Sequence, residues 1–280
     1  MIQADTIRPG HLHLHGGAGH RMRKTRLLLS ILLALALPAP GAGQAILNVE
    51  RLQSGEVEGA HGELNARVNL SRGNTDIFQV GGALGAGFKA PRHWTRAFLG
   101  VDRLKKNDSQ LVDNRYVHLR YNYFFTEKMR SFHFLQLQTN QNLLLLRRWL
   151  VGTGLRVEAL GGADGRLEVG SGLMYEAETL QEGALEEGED PDTRTLRLSN
   201  LLVASWDPVE GTRLMAVVYH QPDVRRLKDY RLLGELGLAV EMTRSLGLEV
   251  ALDWRHDSRA PASLVDDDLG FRTGITYRHR

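Results

Sequence analysis

From residue 61 onward the chain is a succession of strand-length segments in which apolar residues alternate with polar or charged ones, joined by connections that alternate between short and long. Alternation with period two sends successive side chains to opposite faces of a strand. In 61–71, Leu64, Ala66, Val68 and Leu70 share one face, and Glu63, Asn65, Arg67, Asn69 and Ser71 share the other. Further along, Val117, Leu119, Tyr121 and Tyr123 oppose Tyr116, His118, Arg120 and Asn122, while Leu167, Val169, Leu173 and Tyr175 oppose Arg166, Glu168, Met174 and Glu176. A transmembrane β-barrel requires this pattern in every strand, because one face meets lipid and the other the lumen.

The pattern predicts an all-β chain, a transmembrane antiparallel up-and-down barrel of about twelve strands, an even number as bacterial barrels have. The predicted spans are 61–72, 75–89, 93–105, 111–125, 130–141, 146–159, 166–178, 194–206, 211–220, 229–241, 245–256 and 267–279. A soluble β-sandwich also alternates, so connection lengths have to separate the two. Pro91-Arg92, 126–129, 161–165, 207–210 and Thr243-Arg244 are short and turn-forming, as periplasmic turns are; 106–110, 179–193, 221–228 and 257–266 are mostly longer and charged, as outside loops are. Arg72-Gly73-Asn74 breaks the phase, being tight where an outside loop is expected. Aromatics near segment ends suit interfacial girdles: Trp94, Phe124, Phe125 and Trp206 by the turns, and Trp149, Tyr175, Tyr219, Tyr230 and Trp254 by the loops.

Composition removes several function classes. Outside the N-terminal region no stretch reaches the ~20 apolar residues of a membrane-spanning helix, and the mean hydropathy of -0.28 is too polar for a helical membrane protein. The 35 basic residues are matched by 33 acidic ones and interspersed with them, which argues against a nucleic-acid partner. With no Cys there is no disulfide, no thiolate chemistry and no lipoprotein anchor.

Met22-Arg23-Lys24-Thr25-Arg26 followed by the apolar run 27–39 and Gly43-Gln44-Ala45 reads as a signal peptide over 22–45, cut after Ala45. Residues 1–21 then read as an upstream mis-start, 46–60 as a periplasmic linker and 61–280 as the barrel. His11, His13 and His15 lie in the upstream piece and are set aside as metal ligands on that ground.

Short motifs recur along the barrel: Asn69-Leu70-Ser71-Arg72-Gly73-Asn74-Thr75-Asp76, Arg147-Arg148 with Gly152-Thr153-Gly154-Leu155-Arg156, Met174-Tyr175-Glu176, Tyr219-His220-Gln221-Pro222 with Asp229-Tyr230-Arg231, and Asp257-Ser258. In this order they resemble a bacterial family of salt-induced outer membrane proteins, catalogued as domain-of-unknown-function family 481. The resemblance implies an outer membrane barrel and no particular activity. The chain departs from the common aromatic last residue of outer membrane strands, closing on Tyr277-Arg278-His279-Arg280.

Three constellations could carry chemistry. His256-Asp257-Ser258 has the residue types of a hydrolase triad, but sequence neighbours on a strand point to opposite faces and cannot assemble one. The acidic run Glu182, Glu186, Glu187, Glu189, Asp190 and Asp192 lacks the ligand spacing of a calcium loop. The inward charges are the main candidates: Arg67, Arg120, Arg156, Glu158, Glu168, Glu176, Arg231, Glu235, Glu249, Asp253 and Arg272, with Glu63, Arg166, Glu178 and Arg255 beside them. Their mixed signs favour cross-pairing in a narrow lumen over an ion-selective channel.

The sequence is thus read as a non-enzymatic, monomeric outer membrane barrel with a structural or envelope-stress role, or a small-solute pore. No catalytic residue, metal or cofactor is expected. Its partners are the lipid of the outer membrane and the barrel assembly machinery, with no nucleic acid. An outer membrane lipid hydrolase and a soluble periplasmic β-sandwich are the rivals.

Overall fold

The computed structural model describes residues 58–71, 77–106 and 109–279. The signal-peptide reading, the upstream histidines and the Arg72-Gly73-Asn74 turn lie outside them.

Thirteen strands follow one another: β1 (Gly59–Ser71), β2 (Ile77–Ala90), β3 (His93–Lys106), β4 (Ser109–Phe124), β5 (Met129–Asn140), β6 (Leu145–Gly161), β7 (Gly165–Leu180), β8 (Asp192–Leu198), β9 (Asn200–Val209), β10 (Thr212–Pro222), β11 (Tyr230–Glu241), β12 (Leu246–Asp257) and β13 (Asp267–His279). Except for β8 and β9, each pairs antiparallel with its sequence neighbours, and β1 pairs with β13 in the register Leu64↔Tyr277, so the sheet closes on itself. The strands β8 and β9 both pair with β7 and form one stave, which makes the barrel twelve-stranded.

The break in that stave has a local cause. The amide of Asp223 donates to Asp229 O at 2.8 Å, on the β11 side, so the nitrogen of Pro222 faces β8. Proline has no N–H to continue the ladder there. The strand is interrupted at Ser199, whose own amide goes to Gly172 O, and pairing resumes as the single bridge Arg197↔Asp223.

Closure gives the alternation its physical meaning. Leu64, Leu84, Leu99, Val117 and Leu137 are register partners in turn, forming an apolar row across five adjacent strands. Leu64, Leu84 and Leu99 are each about half exposed, as are Val151, Leu173 and Ile275 elsewhere on the outer face. The inner face is the buried one, and it is mostly polar: Glu63, Arg120, Asn122, Gln136, Arg156, Glu168 and Glu176 are all buried. A water-soluble sandwich has the opposite arrangement, with its apolar face inside. No helix among the described residues is long and apolar enough to cross a membrane.

The two ends differ as the connection lengths require. At the short-turn end, Thr126 Oγ1 accepts the amides of Lys128 and Met129, Thr243 Oγ1 accepts those of Ser245 and Leu246, and Gly211 turns with φ +74°. These are the local side-chain and glycine devices that close a tight hairpin. The longer connections, 181–191, 223–229 and 258–266, gather at the other end.

Candidate functional site

Near the loop end the lumen is crossed by one ion-pair network. Strands β6, β7, β8 and β11 each bring an inward arginine or carboxylate to the same level, because all four positions share the parity of the polar face. Glu176 is the hub: Arg197 Nε donates to it at 2.7 Å, Arg148 Nε lies 3.3 Å away, and Arg231 pairs with it directly. Glu178 takes Arg231 through two hydrogen bonds of 2.9 Å and pairs with Arg148. The network continues outward through Arg231 to Asp257 at 2.8 Å and through Arg197 to Asp229 at 3.0 Å. It therefore ties β6–β8 to β11 and β12 across the lumen, and includes the connection 223–229.

Two smaller clusters lie away from the loops. Near the turn end Glu168 takes Arg130 Nη2 at 2.7 Å and pairs with Arg156, with Arg166 3.6 Å away. Between β11, β12 and β13, Arg272 Nη2 bridges Glu235 and Asp253, both at 2.9 Å. Buried charges of one sign cost several kcal/mol each when unpaired, and these clusters pair them by alternating Arg with Glu or Asp.

The remaining inner wall is ringed. Phe132 and Phe134 of β5 lie over Gly154 and Gly152, their register partners on β6, where any Cβ would collide with the rings. Arg96 stacks on Trp94 with its guanidinium carbon 3.7 Å from the ring centre and donates to Asn122 Oδ1 at 3.0 Å. Arg120 lies over the Phe132 ring. On the opposite wall Leu201, Val203, Val217, Tyr219 and Leu233 form a buried apolar cluster. Among the described residues, one cavity of about 20 Å³ lies between His118, Phe134, Tyr219 and Gln221, and another of about 120 Å³ lies among Asn65, Asp102, Asn114, Tyr116, Glu249 and Arg272.

The inward candidates thus separate into groups. Glu176 and Arg231 meet in the outer network, Arg156 and Glu168 near the turns, and Glu235, Asp253 and Arg272 between β11 and β13. Glu249 lines the larger cavity, Arg120 lies on a ring, and Glu158 is half-buried beside Gly161. The side chain of Arg67 lies outside the described residues. Arg130, Arg148, Arg197 and Asp229 are equally central and fall outside the inward set expected from the sequence. Arg148 and Asp229 sit inside the family-like motifs, and Arg130 and Arg148 have the parity of the buried Phe132 and Leu150, a signal available before the fold.

The family model described as "Protein of unknown function, DUF481" matches residues 64–279. The chain belongs to this family. No curated protein is detectably similar to it in sequence. Among solved structures, the KdgM porin matches with a TM-score of 0.45 and 8% identity, covering 79% of this chain and 99% of the porin. The NanC porin matches at 0.48 and 8%, covering 78% and 98%, and the translocator domain of autotransporter NalP from Neisseria meningitidis at 0.42 and 16%, covering 94% and 97%.

In this DUF481 barrel the residues of the dispersed motifs converge. Arg148, Glu176, Asp229, Arg231 and Asp257 all belong to the outer network, and Ser258 Oγ accepts the amide of Tyr230 at 2.8 Å beside it. That contact also settles the geometry of the His-Asp-Ser run. Ser258 holds a backbone amide, Asp257 holds Arg231, and His256 Nδ1 lies 3.1 Å from Asp267, so the three side chains serve three different partners.

Three aromatics assigned above to the interfacial girdles are inside instead. Trp94 is fully buried under Arg96, Phe124 lies beneath Lys89 and Arg130, and Tyr219 belongs to the inner apolar cluster. They lie near strand ends, but parity places them on the lumen side. Phe125, Trp206, Trp149, Tyr175 and Trp254 face outward.

The acidic loop has a mechanical role. Glu189 accepts the amide of Ala262 at 2.7 Å and that of Glu186 at 2.9 Å, joining 181–191 to 258–266. Those two amide donors hold its carboxyl below the usual range. A depressed carboxylate stabilises its fold above the ordinary pKa and loses that contribution as pH falls through the folded value. Protection of the Ala262 amide from hydrogen exchange should therefore be constant at neutral pH and fall in acid, below the ordinary glutamate range; protection that is flat into strong acid would contradict the link.

Proposed function

We propose that this DUF481 protein is a monomeric, non-enzymatic barrel of the outer membrane whose lumen is occluded, and that it acts as a structural element of the envelope. The observation that carries the reading is the outer ion-pair network, which joins β6–β8 to β11 and β12 through the lumen. The outward apolar band and the polar interior support a membrane location, and the longer connections at one end support the usual orientation, with turns in the periplasm and loops outside. The separate partners of His256, Asp257 and Ser258 support the non-enzymatic part.

A narrow small-solute pore is the second reading, favoured by the cavity of about 120 Å³ beside Asp102 and Glu249. Purified protein in planar bilayers distinguishes the two. The occluded barrel gives no sustained conductance steps; discrete steps from the unmodified protein would replace the structural reading by the pore.

A further inference from the structure

The outer face is not uniform around the barrel. At the loop end of β3 to β8, just above the outward rings of Trp149 and Tyr175, stand Arg103, Arg115, Arg147 and Arg194, all exposed; Asp113 takes Arg115 through bonds of 2.9 and 2.6 Å and Arg103 at 3.4 Å, and Arg147 donates to Thr179 Oγ1 at 3.5 Å. Their placement follows from register: Arg103 is opposite Asp113, Arg147 opposite Thr179, and Arg194 opposite Ala177. On the described outward positions of β10 to β13 at the same end stand His220, Tyr230, Trp254, His256 and Asp267, with no Lys or Arg. In that second sector the exposed cations, Arg225, Arg226, Lys228 and Arg259, stand in the connections 223–229 and 258–266 instead of on the strands.

A groove of about 560 Å³ runs down the outer face of that same sector, between Leu119, Leu135, Val151, Leu173 and Leu196. Its polar neighbours are already engaged: His133 Nδ1 lies 2.8 Å from Thr153 Oγ1, and His93 Nδ1 2.8 Å from the Tyr121 hydroxyl. An apolar groove beneath a basic rim has the two-part chemistry of an anionic lipid, with acyl chains below and phosphate above. The arginines Arg115, Arg147 and Arg194 lie on alternate staves, roughly 10 Å apart at about 4.8 Å per strand. That spread exceeds one phosphodiester headgroup and suits a headgroup carrying more than one phosphate.

We propose that the β3–β8 sector is a lateral binding surface for an acylated lipid whose headgroup carries more than one phosphate, its phosphates on Arg115, Arg147 and Arg194 and an acyl chain in the groove. This rests on the outer membrane reading above. The barrel, purified in detergent, is titrated with a bisphosphorylated, acylated glucosamine disaccharide and followed by native mass spectrometry. The triple variant Arg115→Gln, Arg147→Gln, Arg194→Gln should bind on the order of a hundredfold more weakly, at about a fivefold loss per cation near an anionic lipid surface. The corresponding triple Lys variant should retain most of the affinity, and heat-modifiable migration on a gel confirms that both fold. Equal binding by the Gln triple, equal binding of the dephosphorylated glycolipid, or equal binding of phosphatidylglycerol would overturn the proposal. Membrane fractionation is scored separately: recovery outside the outer membrane would sink the location while leaving the measured lipid affinity to stand or fall by itself.

Discussion

Replacing Glu176 by Ala is expected to lower the stability of the folded barrel by about 3 kcal/mol, the low end of the cost of removing one partner from a buried ion pair. The carboxylate is shared by Arg148, Arg197 and Arg231, all buried. Its loss leaves three buried guanidinium groups with fewer acceptors. The cost falls at the low end because Glu178, Asp257 and Asp229 still hold those arginines. The measurement is the denaturant midpoint for loss of the compact, unboiled gel band, compared with Glu158→Ala, which should change stability by no more than about 0.5 kcal/mol. A Glu176→Ala barrel as stable as the Glu158→Ala one would mean that the network does not hold the walls together.

The second large effect concerns the other face. Leu84 is mid-strand in β2, about half exposed, and flanked in register by Leu64 and Leu99. In a bilayer, Leu84→Arg should cost about 2–4 kcal/mol of folding free energy, because it places a charge in the hydrocarbon. The same substitution on an exposed position of a soluble protein would be nearly neutral, within about 0.5 kcal/mol. Folding into lipid vesicles, followed by the same gel assay across a denaturant series, separates the two, and a neutral result would argue that this face does not meet lipid.

The barrel was legible in the sequence because strand period is a local property. Leu64 or Val117 alternates with its polar neighbours whether or not its partners are known, and turn chemistry at Thr126, Gly211 and Thr243 marks the hairpins locally. The closing pair β1–β13, the single stave made of β8 and β9, and the position of Pro222 facing β8 depend on register instead. The interior was legible only as a set of charges. Glu176 and Arg231 are 55 positions apart, and nothing local says that they meet. Proximity to a strand end was likewise insufficient for Trp94, Phe124 and Tyr219, since a ring near an end can face headgroups or lumen, and only its parity against Arg96, Asn122 or Gln221 decides.

The alternating sequence by itself determined that one face of every strand is apolar and the other charged, since both are set by the period of an extended backbone. Which of those charges meet was decided by the tertiary structure, because pairing across a lumen depends on strand number, register and closure. In this protein closure sets Arg148, Arg197 and Arg231 around Glu176, and the polar face becomes the packed interior.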